Sequence, residues 1–476
     1  MNREPRIAVL GCLLAFIAWR NAAAQDLLIE NARLFDGTGR PPRESVAILV
    51  RDGRIVEIGD ALRADGVPRL DVRGATVLPG LIDAHVHLTW GPGDALREES
   101  HSAWGRFRSR HLRAYLACGV TTVLDAGATS ETVRAIQAWL AAGNPGPRYL
   151  TLGPVLRPPN GYPRGYPEGM WPEVATVEEV QAALDRDESL GVVGVKVTIE
   201  HGWNPLRDLP IHSPEIREAI RRGAAQRRLP IYVHATSEED QALALDMGAR
   251  ALVHAIEYRS APLSEGFVRR MAQTRTYQIT TFSVFDSALT AYHPERLQDP
   301  VVQLVVPEAE LRTARDPKMG RAMLRSLVRD EGPPMPDFVR DLLGRWWFSE
   351  RAQVEAMRRS QEAVRRLHAA GVPIVVGSDT PFRAAIVYGF HGATTLREIE
   401  LVGEAGLSPA EVLQAATRVP AEMLGLAGEI GTIEVGKRAD LVVVHADPLT
   451  DLRALRTIEW TVRDGVARTP RQWIAE

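Results

Sequence analysis

The sequence predicts an α/β protein: a (β/α)8 barrel accompanied by a smaller β-rich domain built from both chain ends. Three observations predict this. The middle of the chain alternates apolar strand-like runs with helical patterns. Both ends show short alternating strands punctuated by turn signals. No G-x-G-x-x-G or phosphate loop follows the first central strand, which weighs against the competing open, doubly wound sheet. With 476 residues, 45% hydrophobic and 25% charged, the chain can bury a large core, which excludes disordered, collagenous and coiled-coil proteins. A net charge of -3 offers no surplus of positive charge for nucleic acid, and two cysteines cannot make a disulfide scaffold.

The elements follow in chain order. Arg3 and Arg6 precede an apolar run over residues 7–19 and then Ala22-Ala23-Ala24, the order of a secretory signal peptide. Cleavage is expected after Ala24, with export to the periplasm or medium and no stable membrane insertion afterwards. An uncleaved anchor and a lipoprotein at Cys12 are the alternatives. Removing residues 1–24 takes away three arginines and one glutamate, which moves the net charge from -3 to -5, and leaves Cys118 alone. Residues 26–78 read as strands and hairpins around Asp36-Gly37, Asp52-Gly53 and Arg73-Gly74. The same texture returns over residues 428–474, in GTIEVGKRADLVVVHADP and IEWTVRDGVAR. Between them, residues 79–427 hold eight candidate strands: LIDAHVHL, VTTVLDAG, RYLTLGPVL, GVVGVKVTI, IYVHATS, ALVHAIE, YQITTFSVF and PIVVGSD. Several are nearly continuous apolar runs, as strands buried on both faces require. Two stretches break the pattern: a Pro/Gly/aromatic loop over residues 156–173, and a long insertion over 286–350 that reads as a lid. The arginines of that region are expected on solvated helix faces.

The chemistry lies in polar residues at the ends of apolar strands. His85 and His87 are two apart, so a strand presents both on one face. His234 ends IYVHA, His254 ends ALVHA and Asp379 ends PIVVGSD. Unpaired imidazoles and carboxylates are costly to bury, so these groups are expected to be paired or to hold a metal. Together they suit zinc and neighbouring divalent ions. Lys196 sits in the otherwise apolar run GVVGVKV, and only Lys196, Lys318 and Lys437 among the 57 basic residues are lysine. A buried lysine has a lowered pKa and can react as a neutral amine. It could add carbon dioxide to form a carbamate with two oxygen ligands, which arginine cannot do. A buried Lys–Asp or Lys–Glu ion pair is the alternative.

These residues resemble a known family. LPGLIDAHVHL, the Lys196 strand, His234, His254, the GSD ending in Asp379, and the tail SPAEVLQAATRVPAEMLGL…GTIEVGKRADLVVV are similar to the amidohydrolase superfamily. The particular mix is similar to its imidazolonepropionase-like branch, which contains Xaa-Pro and Xaa-Arg dipeptidases. The resemblance implies a TIM-type (β/α)8 barrel with a small flanking β-sandwich. It also implies two divalent ions, zinc by preference, one on His85, His87 and Asp379 and the other on His234 and His254, bridged by carboxylated Lys196. Asp83 and Lys437 match motif positions and read as structural. Many deaminases of the superfamily carry a glutamate three residues after the histidine matched by His234; here Ser237 stands there, which disfavours deamination.

The expected reaction is hydrolysis of an amide carbon–nitrogen bond, in a dipeptide or N-acyl amino acid, by a metal-bridging hydroxide. Metal binding lowers the pKa of water from about 15.7 toward about 7. Asp379 would take the proton and pass it to the leaving nitrogen. Candidates for pairing a substrate carboxylate are Tyr258 and His391 first, then Tyr162, Arg164, His201 and Arg259. The alternatives are hydrolysis of a cyclic amide, lactone or ester on the same site, and a non-catalytic metal-stabilised binding protein. The expected partner is a small molecule; homo-oligomerisation is left open.

Overall fold

The computed structural model describes residues 25–475 except 90, 92–99, 165–169, 203–207, 257–260, 332–334 and 382–386. The expected signal segment, Tyr258 and Arg259 therefore lie outside the described residues. Five strands come first: β1 (Leu27–Leu34), β2 (Arg43–Arg51), β3 (Arg54–Gly59), β4 (Arg69–Asp71) and β5 (Thr76–Pro79). β1 and β2 pair antiparallel, with Leu27 opposite Val50 and Ile29 opposite Ile48. A tight turn at Asp52-Gly53, both at positive φ, leads from β2 to β3.

Eight parallel strands follow: β6 (Leu81–Val86), β7 (Val120–Asp125), β8 (Arg148–Thr151), β9 (Val195–Thr198), β10 (Ile231–His234), β11 (Ala251–Val253), β12 (Tyr277–Ile279) and β13 (Ile374–Val375). β6 to β8 form one ladder and β9 to β13 another. Backbone hydrogen bonds join both seams. Leu156 N–H donates to the Lys196 carbonyl at 2.9 Å, and Ala84 N–H to that of Val376 at 3.0 Å. The strands thus follow one another round a ring, which is why the central runs lack a polar face: β6, β7, β9 and β10 are buried at every residue. Helices start on side-chain caps between the strands, as at Thr176, where Thr176 and Glu179 form a capping box ahead of Val177–Ser189.

The chain then returns to the first sheet through β14 (Leu441–Val444), β15 (Ile458–Arg463) and β16 (Val466–Arg468). β14 inserts between β5 and β15, so both chain ends share one hydrogen-bonded sheet, with β4 branching from β1. Its core draws Ile29, Ile48 and Val77 from one end and Leu441 and Val443 from the other. Gly80 carries β5 into β6 where a Cβ would lie 2.2 Å from Thr121 Oγ1, so the tight crossing requires glycine.

A buried charge cluster fastens this sheet to the barrel. Arg148 of β8 reaches Asp440 at 3.0 Å and Asp464 at 3.5 Å, and Asp464 also pairs with Arg438 at 3.0 Å and with Arg463. Burial alone would raise the Asp464 carboxyl, but Arg463, Arg148 and Arg438 hold it down to about 2. Asp464→Asn keeps the residue's tolerance of its positive φ and removes the charge. It will destabilise the protein at pH 7 by about 3 kcal/mol, because three arginines lose a buried partner. Since the folded pKa lies below the unfolded 3.8, the wild type's share of this stability is present above that value and lost as pH falls through about 2. Denaturant midpoints of both proteins at pH 7 and pH 3 will check this; the gap narrows at the lower pH.

The 286–350 segment is helical: it carries Pro300–Val305, Glu308–Arg315, Pro317–Glu331 and Asp337–Trp347. In the next helix, Glu350–Ala369, Arg358 and Arg365 are surface groups that pair one turn away with Glu355 and Glu362, while Arg315 of the segment pairs with Glu308 and Arg366 with Glu265. Among the described residues no helix is long and apolar enough to cross a membrane.

Candidate metal centre

The ring brings six separated residues to one pocket. His85, His87, Lys196, His234, His254 and Asp379 all line it, with Val155, Tyr162, Pro163, Trp171 and Thr198. Five of the six stand near or just past the carboxyl end of a barrel strand, where such barrels build their sites, and Lys196 is the second residue of β9. His85 Nε2 and His87 Nε2 lie 3.1 and 2.9 Å from Asp379 Oδ1, and His254 Nε2 lies 4.0 Å from Oδ2. His85, His254 and Asp379 each offer a ligand atom within 4.8 Å of the others. The His234 ring adjoins His254, with centroids 4.6 Å apart.

The backbone is bent to make this happen. His254 and Asp379 have φ of 66° and 52°, a left-handed conformation uncommon in residues with a Cβ and concentrated at functional sites. The Gln278 side-chain amide donates to the His254 carbonyl at 2.8 Å, and that of Gln241 does so at 3.2 Å. Asp379 N–H donates to the His85 carbonyl at 2.7 Å. Gly377 allows that approach, since a Cβ there would lie 2.7 Å from the Cβ of His85. Asp83 holds the same seam from beneath: its carboxylate accepts from Ser378 N–H at 2.9 Å and Thr395 Oγ1 at 2.6 Å. Burial pushes that carboxyl up to about 6 despite these donors.

The protonation states suit cation binding. Burial holds His85 and His254 well below the usual imidazole range and His234 at about 3, with Lys196 among the charges that add to the effect. These imidazoles are neutral at pH 7, as metal ligation requires. Asp379 stays ionised: burial opposes this, but His85 and His87 hold it well below the usual carboxylate range. Burial lowers the Lys196 amine to about 7 against a weaker pull from Asp379. Its Nζ is buried and has no hydrogen-bond partner. That orphaned amine fits a group that is to be carbamylated better than it fits an ion pair.

The remaining sequence candidates divide. Tyr162 is in the pocket, its ring stacked on His234 with centroids 4.3 Å apart. Arg164 is not: its guanidinium donates to the Asn160 carbonyl at 2.9 Å. His201 turns to Asp240. His391, expected beside substrate, is absent from the described pocket lining; its Nδ1 meets Tyr115 Oη at 3.0 Å and its ring packs on His111. Its place after the eighth strand fixes its loop, but the ring faces the helix Ser100–Ala117. Lys437 lies in the tail beside Glu434, 2.7 Å away, in keeping with a structural role.

Sequence reasoning missed Glu200, Gln278, Thr281 and Trp171. Glu200 is buried, accepts from Thr236 Oγ1 at 2.6 Å and lies 3.3 Å from His234 Nε2. Thr281 Oγ1 meets His254 Nδ1 at 2.6 Å. The signal that found the histidines, a polar residue in or ending an apolar strand, also marks Glu200 and Gln278. Trp171 had no such signal.

A parallel ring with four imidazoles, a buried lysine amine lowered to about 7 and an ionised aspartate in one pocket defines a metal-dependent hydrolase. Residues 170–467 match the amidohydrolase family, and the chain belongs to it. The match includes Lys196, His234, His254 and Asp379; His85 and His87 precede it. An N-acyl-D-aspartate deacylase of Alcaligenes xylosoxydans xylosoxydans is 48% identical over 65 residues, 14% of this chain and 13% of that protein. A dihydroorotase of Streptococcus pneumoniae serotype 4 is 32% identical over 115 residues, 23% of this chain and 24% of the other. These matches span less than a quarter of the length of either relative. The structure of a Xaa-Pro dipeptidase with bound methionine in its active site superposes with a TM-score of 0.70 at 20% identity, covering 94% of this chain and all of the other, a likeness of fold.

Proposed function

We propose that this protein is an exported binuclear amidohydrolase that cleaves the amide bond of a dipeptide or N-acyl amino acid. One observation carries the reading: three imidazole Nε2 atoms gather round a single ionised carboxylate, in a pocket that also holds a buried, unpartnered lysine amine. In this reading His85, His87 and Asp379 would hold one divalent ion, zinc by preference. His234 and His254 would hold the second, and a carbamate on Lys196 would supply oxygen ligands to the pair. The ions would activate water near neutral pH and polarise the scissile carbonyl.

The chain's own residues do the rest. Asp379, ionised and at the pocket floor, accepts the proton from the attacking water and delivers it to the leaving nitrogen. Thr281 at His254 Nδ1 and the Gly127 carbonyl, 3.4 Å from His87 Nδ1, orient those rings with Nε2 toward Asp379. Glu200 does the converse for His234: it accepts from Nε2–H and leaves the Nδ1 lone pair as the ligand atom. Glu200→Gln should therefore weaken binding of one metal equivalent by about 10- to 100-fold and leave the other nearly unchanged. Competitive chelator titration will show this, and equal loss of both equivalents would remove Glu200 from the positioning role.

Export rests on Arg3, Arg6 and the apolar run of residues 7–19 alone. The division into a composite β-domain (26–78 with 428–474), a barrel (79–427) and a lid (286–350) is part of the same proposal. Cyclic amides form a second reading, supported by the dihydroorotase similarity. The test is metal content together with turnover on dipeptides, N-acyl amino acids and dihydroorotate. About two zinc equivalents with hydrolysis of the linear amides supports the first reading. Turnover of dihydroorotate alone supports the second, and metal without turnover of any amide or ester favours a binding protein.

A further inference from the structure

Beside the donor cluster, part of the pocket lining is apolar and aromatic. Val155, Tyr162, Pro163 and Trp171 form it, all from the loop after β8. The loop is tied down at several points. Arg157 pairs with Glu173 at 2.7 Å and donates to the Pro163 carbonyl at 2.9 Å, while Thr198 Oγ1 donates to the Tyr162 carbonyl at 2.8 Å. Thr198 lies two residues from Lys196 on β9, so Tyr162 is fixed relative to the candidate metal ligands. Its ring lies flat on His234, with an interplanar angle of 16°, and Trp171 and Val155 are each 4% exposed. The loop's two basic side chains near the wall are turned to its own carbonyls and Glu173. Among the described lining residues, the charge-bearing side chains all belong to the candidate ligand set.

We infer that this wall is a specificity subsite for an uncharged apolar or aromatic side chain on the residue adjoining the scissile amide. The inference rests on the amide-hydrolysis reading and narrows its substrate class. A flat or branched hydrocarbon group gains contact with two aromatic side chains, a proline ring and a valine. Among the described lining residues, a carboxylate there finds no cationic partner outside the candidate ligand set to offset the water it loses. The wall therefore selects against acyl-aspartate substrates, the class named for one of the relatives.

The test uses the zinc-loaded full chain. Binding of N-acetyl-phenylalanine, N-acetylglycine and N-acetyl-aspartate, both enantiomers where they exist, is measured by calorimetry, and turnover of the same compounds by amine release. The wild type is expected to bind the phenylalanine compound about tenfold more tightly than the glycine compound and about 100-fold more tightly than the aspartate compound. Tyr162→Ala and Trp171→Ala should each cost about tenfold on the phenylalanine compound and under about twofold on the glycine compound, at unchanged metal content. Equal affinities, a preference for aspartate, or equal losses on every compound would overturn the subsite. Should the alanine variants fail to fold, the wild-type ranking decides alone, and Trp171→Phe, which keeps an aromatic face, should retain that ranking. Apolar preference in binding without any turnover overturns the hydrolase reading and leaves the subsite standing; turnover without preference does the reverse.

Discussion

Asparagine at position 379 will cut kcat/KM by about 1,000-fold, within the range that loss of a positioned general base produces. The size of the effect follows from three roles on one carboxylate. Asp379 faces the Nε2 atoms of His85 and His87, stays ionised although buried, and is the one carboxylate in the described pocket lining. Asparagine copies its shape and tolerates its φ of 52°, so the backbone turn that aims the side chain survives. What disappears is the charge and the capacity to take a proton. The loss is expected mainly in kcat, with metal content reduced as well. Steady-state kinetics beside metal analysis will check this, and activity within tenfold of wild type would remove Asp379 from proton transfer.

Replacement of Lys196 will have the second large effect, and it will split activity from stability. Lys196→Ala should lose at least about 1,000-fold in kcat/KM, together with part of the metal, because the oxygens that the proposed carbamate would supply go with the amine. Added formate or acetate should restore part of that activity by supplying a carboxylate in the vacated space. In metal-free, carbon dioxide-free protein the isosteric Lys196→Met should be as stable as wild type or more so, since it removes a buried polar atom that has no partner. The sign of the pH dependence follows from the lowered amine. Burial brings it from 10.5 to about 7, so the unfolded chain binds more protons than the folded one between those values. Wild-type stability therefore rises with pH across that window, relative to the methionine variant. Denaturant midpoints at pH 6.5 and pH 9 will measure it. A wild type that is the more stable at pH 6.5 would show that the amine has a partner and is structural.

The parts of this architecture that a short-range pattern encodes were legible in the sequence. Continuous apolar runs marked the barrel strands because both of their faces are covered, and a polar residue within such a run stands out. His85, His87, Lys196, His234, His254 and Asp379 were all visible for that reason, and the structure brings the six to one pocket. Alternating runs at both ends foretold a sheet shared between them, and β14 inserts between β5 and β15. The direction of a side chain leaving a loop has no such signature. His391 follows the last barrel strand in sequence, yet it turns to Tyr115. Arg164 and Tyr162 sit two residues apart, and only Tyr162 faces the pocket. Trp171 enters the site because the Arg157–Glu173 pair and the Thr198 hydrogen bond fold the loop back, contacts that no local periodicity announces. Glu200 was readable by the rule that found His234, but it lies just past the end of its strand.

Whether these six residues hold a pair of divalent ions is read by diffraction from crystals grown with zinc and bicarbonate, recorded above and below the zinc absorption edge. Two anomalous peaks per chain are expected, one within bonding distance of His85, His87 and Asp379 and one within that of His234 and His254, with density extending from Lys196 Nζ between them. A single peak elsewhere, or none in this pocket with the lysine amine bare, would contradict the paired-ion reading.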